Sequence, residues 1–136
     1  MKIALHSLLA VFLLGSPVDD PEEINFAELS NFDYEEGKNL PKSVTKHHEK
    51  LVTVGGFMAT EDGTEGDVEY FILVNDACGC EGTPKLNEMI FCAMPEGKTV
   101  NIKPGTVSVT GTIYVEEEKE EGVAVSLYTM AVDSVK

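Results

Sequence analysis

From Lys50 onward the apolar residues recur at every second position, and this period of two commits the chain to a mainly β fold. The clearest case is Val107 to Val115 (VSVTGTIYV). Val107, Val109, Ile113 and Val115 take one face; Ser108, Thr110, Thr112 and Tyr114 take the other. The first face is expected inward and the second outward. Leu51 to Met58 reads as a strand with Val52 and Val54 on one face, and Gly55-Gly56 within it marks a bulge or sharp bend. Val68 to Val74 (VEYFILV) is a nearly continuous apolar run, expected as a central strand buried on both faces. Met89 to Met94 (MIFCAM) and Val123 to Val132 supply the third and fifth strands. Glu116 to Gly122 (EEEKEEG) reads as a charged hairpin between the last two. Five short antiparallel strands, with Gly56 and Gly111 at bends, predict a small five-stranded OB-like β-barrel.

Ahead of the strands lie two different segments. Residues 1–16 read as a signal peptide: Lys2 is a minimal positive start, Ile3 to Leu14 is almost wholly apolar, and Gly15-Ser16 is a small pair suited to cleavage. That apolar run is too short to cross a bilayer core of ~30 Å as a helix. No Cys follows it as an acylation site. Residues 17–49 read as an N-terminal lead-in with short helices, and residues 50–136 as the barrel domain. Asp19-Asp20-Pro21-Glu22-Glu23 predicts a helix start, with an acidic cap and Pro in the first turn. Ile24, Phe26, Ala27 and Leu29 are its candidate core residues. Leu40-Pro41 opens a second short helix through about His48, with Val44 inward. The expected location is therefore periplasmic or secreted, with no membrane insertion after signal cleavage.

Charge narrows the partners. The chain has 136 residues, 24 acids and 10 Lys, and a formal charge of −14. It has no Arg. Nucleic acid is disfavoured as a partner, because phosphate contacts need clustered cations. Anionic lipids and acidic substrates are disfavoured on the same ground. The acidic stretches Glu61 to Asp67 and Glu116 to Glu121 lack the ligand pattern of a calcium loop and read as solvated turns. No nucleophile-elbow motif occurs, and no enzymatic activity is expected.

The cysteines carry the sharpest chemistry. Cys78 and Cys80 sit on a turn after the second strand with Gly79 between them, and Cys92 lies within the third strand. Two readings stay open. In an oxidising compartment, two of Cys78, Cys80 and Cys92 form a disulfide and one thiol is left over. Alternatively, Cys78 and Cys80 are soft ligands for Zn²⁺ or Cu⁺, with His47 or His48 as a third. His47 and His48 also fit the surface of a helix C-terminus, where at least one of them is expected. Tyr70, Tyr114 and Tyr128 are candidates for a binding face where they point outward.

Three stretches then bear a resemblance. LPKSVTKHHEKLVTVGGFM, FILVNDACGCEGTPKLNEMIF and VSVTGTIYVEEEKEEGVAVSLYTMAVDSV together resemble a family of exported bacterial proteins with a conserved domain of unknown function. Pro41, Val44, Lys50, Val52, Val54, Gly56, Phe57 and Met58 match its Pro-x-x-Val and Gly-Phe-Met elements. Asn75 to Cys80 is similar to its Cys-rich turn, although here one Gly separates the cysteines that the family places side by side. Asn87-Glu88 and Val109-Thr110-Gly111 also match. The resemblance implies an OB-like barrel in periplasmic proteins or lipoproteins, some encoded beside transporter components, and it implies no enzymatic activity. The first functional expectation is thus a non-catalytic binding or accessory module docking an envelope or transporter protein. The alternative is a small periplasmic metal-binding protein using the Cys-x-Cys turn.

Overall fold

The computed structural model describes residues 20–75 and 84–136. The segment 1–16 and the turn carrying Cys78 and Cys80 lie outside the described residues. Strand β1 (Glu22–Ile24) and two one-turn helices, α1 (Phe26–Leu29) and α2 (Lys42–Thr45), come first. Then follow β2 (Lys50–Ala59), β3 (Asp67–Val68), β4 (Tyr70–Val74), a 3₁₀ turn (Leu86–Glu88), β5 (Met89–Ala93), β6 (Val100–Asn101), β7 (Thr106–Glu120) and β8 (Val123–Val135).

The fold is mainly β, with one large mixed sheet in the order β1-β2-β4-β5-β8-β7. β2 also pairs with β7, so the ladders return to the strand from which they started. Partner exchange along β2 makes this circuit. Lys50 to Phe57 faces β7, and Phe57 to Ala59 also faces β4 on the opposite edge. Gly56 stands at the exchange, where a Cβ would lie 2.8 Å from the Val74 carbonyl oxygen. Gly111 stands at a register shift in β7, where a Cβ would lie 2.3 Å from the Ala131 carbonyl oxygen. Both glycines thus sit at bends that bring backbones too close for any side chain.

Inside the circuit, Val52, Val54, Val109 and Ile113 are fully buried, each worth about 1.5–3 kcal/mol of apolar burial. Val107 and Val115 join them, as the alternation of β7 predicts. Phe26, Leu29 and Val44 pack onto the same core from the two one-turn helices.

Several expectations are corrected. The strands are not all antiparallel, because β5 pairs with β8, and β1 with β2, in parallel. The segment read as a helix start forms β1 instead, with Glu22 opposite Val52 and Ile24 opposite Val54. β1 takes the edge of β2 that β4 has not yet reached, and a ladder satisfies more backbone groups there than a single helical turn. The helix starts later, at Asn25, whose side chain accepts from the Glu28 amide (2.9 Å). Ala27 is exposed rather than core. β4 buries one face along its length and the other only at its end: Phe71 and Leu73 are inside and Val74 is buried, while Tyr70 is 69% exposed.

The acidic run is not a loop. β7 continues through Glu120 opposite β8, with irregular register between Val115 and Lys119. The turn shrinks to Glu121 (φ 52°) and Gly122 (φ 82°), a pair of left-handed residues suited to a tight hairpin.

Candidate functional site

Strand register builds a surface feature with the shape of a binding site. Ile72 of β4 faces Phe91 of β5, Phe91 faces Thr129 of β8, and Thr129 faces Tyr114 of β7. These four residues form a continuous row across four strands on the outer side of the sheet. The neighbouring row runs Tyr70, Ala93, Ala131 and Thr112. Alanines in its middle leave a hollow between the Tyr70 ring and the larger side chains. The result is an open cleft of about 900 Å³. Its far wall is the connection from Thr60 to Glu69.

That wall is held in place. β3 pairs with β6 through Asp67–Asn101 and Val68–Val100, and the Ile102 amide donates to the Gly66 carbonyl (2.9 Å). Asp62 accepts from the Thr64 amide and hydroxyl, which hold its carboxyl below the ordinary carboxylate range. Glu61, Asp62 and Glu69 are exposed at the rim, and among the described residues no lysine lines the cleft.

Two of the three tyrosine candidates belong to this cleft. Tyr70 and Tyr114 line the same cleft, although they are 44 positions apart in sequence. The Tyr114 ring is met edge-on by His48, with centroids 6.0 Å apart at 75°. Tyr128 does not belong to an outer face. It shares the inward parity of Met130 and Val132, is fully buried, and donates from its hydroxyl to the Leu29 carbonyl (2.6 Å). Burial pushes its phenol up from the ordinary range.

Neither histidine is a free surface residue. His47 is 1% exposed, with Nε2 3.1 Å from Glu28 Oε1 and Nδ1 3.5 Å from Glu22 Oε1. His48 is half-buried, and its Nδ1 accepts from the Val115 amide (2.9 Å). The two rings therefore turn to different partners. Among the described residues no cluster of three or more His, Cys, Asp or Glu side chains could hold a metal ion. Cys78 and Cys80, on which both the metal and the disulfide readings depend, lie outside the described residues. Cys92 is free among the described residues and buried, and burial pushes its thiol up to about 12. That is far from the range of a reactive thiolate.

The sequence reading missed Phe91, Ala93, Thr129 and Ala131. Their signal was present in the outward positions of MIFCAM and of the last strand. Joining them into rows required the register.

The family described as "Protein of unknown function (DUF3299)" matches residues 20–136. A crystal structure of a DUF3299 family protein from Pseudomonas aeruginosa PAO1, at 2.45 Å resolution, is similar over 86% of this chain and 95% of that one, with 18% identity and a TM-score of 0.54. A putative aspartyl-tRNA synthetase from Leishmania major Friedlin aligns over 88% of this chain and 21% of that one, with 14% identity and a TM-score of 0.42. No curated protein matches the sequence significantly.

Proposed function

The chain belongs to the DUF3299 family, and from that premise we propose that it is an exported, non-catalytic accessory module of a bacterial envelope. Its circuit of paired strands is then a closed OB-like barrel, and the outer cleft across β4, β5, β8 and β7 docks a partner such as a transporter component. The observation that carries this reading is one cleft floored by Ala93 and Ala131 and lined by Tyr70 from β4 at one end and Tyr114 from β7 at the other. Barrels of this class commonly bind ligands on the face of their second and third strands, beside the loop joining the first two. In that reading β4 and β5 serve as the second and third strands, and the Thr60–Glu69 connection as the loop. The apolar run in residues 1–16 supports export. The charge of −14 weighs against nucleic acid as the ligand.

Photo-crosslinking in the producing cell tests the reading. A benzophenone amino acid replaces Tyr70 in one strain and Val123, the other exposed large apolar residue, in a second. The expected result is a discrete protein adduct from position 70 that is absent from position 123 and weakened by Tyr114→Ala. Equal adducts from both positions, or none from position 70, would refute it.

A further inference from the structure

We propose that the cleft receives an extended peptide segment of a partner protein in which a Lys or Arg stands between apolar side chains. This rests on the binding-module reading and names the chemistry of its partner. Three features of the cleft converge on it.

The first is charge. Glu61, Asp62 and Glu69 stand at the rim, and among the described residues no lysine lines the cleft or pairs with any of the three. The chain as a whole carries −14, so its field steers cations toward it and repels anions. The second is the Tyr70 ring, 69% exposed beside those acids. An aromatic face next to carboxylates suits a guanidinium or ammonium group. The third is the floor. Ile72 and Phe91 are apolar, and Ala93 and Ala131 are small enough to let a backbone approach.

A free polyamine would use the acids and leave that floor unfilled. Four strands at ~4.8 Å spacing give a row about 14 Å long, the reach of about four extended residues. The peptide cannot join as a strand at the centre of the cleft. Phe91 is already paired on both sides, with Ile72 and Thr129, and Ala93 with Tyr70 and Ala131. Recognition therefore falls to side chains.

Selection of phage-displayed random heptapeptides on the purified exported protein tests this, followed by titration of the winning synthetic peptide. The expected winners carry Lys or Arg flanked by apolar residues. Tyr70→Ala, or Glu61→Gln with Glu69→Gln, weakens the winner about tenfold. Glu120→Gln with Glu121→Gln removes the same charge far from the cleft and leaves affinity within about twofold. All these positions are exposed, and thermal melting confirms that each variant is folded. Neutral or acidic winners that still depend on Tyr70 would overturn the proposal and leave the binding face standing. No winners, or winners indifferent to Tyr70→Ala, would overturn both. Spermidine binding the cleft as tightly as the peptide would assign it to a small polycation and overturn the peptide claim.

Discussion

His47 shows how a side chain with a catalytic or metal-binding reputation can be used to hold a fold together. Its ring is buried between carboxylates from β1 and α1, and Lys46 adds a contact to Glu28 Oε1 (3.3 Å). The His47 hydrogen bond, ahead of that from Lys46, holds the Glu28 carboxyl below its ordinary range. A depressed value in the folded state means that the folded state is favoured by the ionised carboxylate. The stabilisation is present above the unfolded-state value and is lost as pH falls through the lower folded-state value. Glu28→Gln should therefore cost about 1 kcal/mol at pH 7. Urea denaturation from pH 7 to 3 should show the wild type losing stability in acid more steeply than the variant below about pH 4.3. Parallel pH profiles would contradict this use of Glu28. None of it was legible in the His-His pair, because Glu28 lies 19 positions away and the contact exists only once α1 and α2 dock.

Among the elements, β7 joins a half whose sequence declares its fold to a half whose sequence does not. Its first half alternated clearly enough to place Val107, Val109, Ile113 and Val115 inside. Its second half, EEEKEEG, looked like a loop because a block of like charge has no apolar face to bury. The structure resolves the contradiction through partners far away in sequence. Glu117 accepts from the Tyr34 hydroxyl and the Gly37 amide (3.1 Å), and Glu36 accepts from the Ala124 amide. The segment between α1 and α2 thus straps the end of the hairpin, and the Tyr34 hydrogen bond holds the Glu117 carboxyl down. The bends, by contrast, were legible, because Gly in a strand has few other reasons to be there. Gly111→Ala should destabilise by about 3 kcal/mol, since the new methyl meets the Ala131 carbonyl. Gly55→Ala, whose methyl would come no nearer than 3.8 Å to the Val107 carbonyl, should stay within about 1 kcal/mol of wild type. Thermal melts of the pair check this; equal losses would mean that the close approach at β7–β8 is not as described.

For the molecule as a whole, alternation said which residues point outward but not which of them meet. Tyr70 and Tyr114 were candidates from chemistry alone, and Tyr128 shared that chemistry. Register separated them: two line one cleft and the third is fully buried. The N-terminal segment was the hardest to read. Its strand exists only because β2 offers it an open edge, and its place depends on a partner that local propensity does not see. Among the described residues no helix is long and apolar enough to cross a membrane.

If the cleft is the binding face proposed above, Tyr70 and Tyr114 belong to it and the buried Tyr128 does not. Limited iodination followed by mass spectrometry reads that directly, because the chain has four Tyr and no Trp. Alone, the purified protein should label fastest at Tyr70 and not at Tyr128. In concentrated extract of the producing cells, Tyr70 and Tyr114 should be protected while labelling elsewhere is unchanged. Tyr70 labelling as fast in the extract as in buffer, or Tyr128 labelling as fast as Tyr70, would contradict the account.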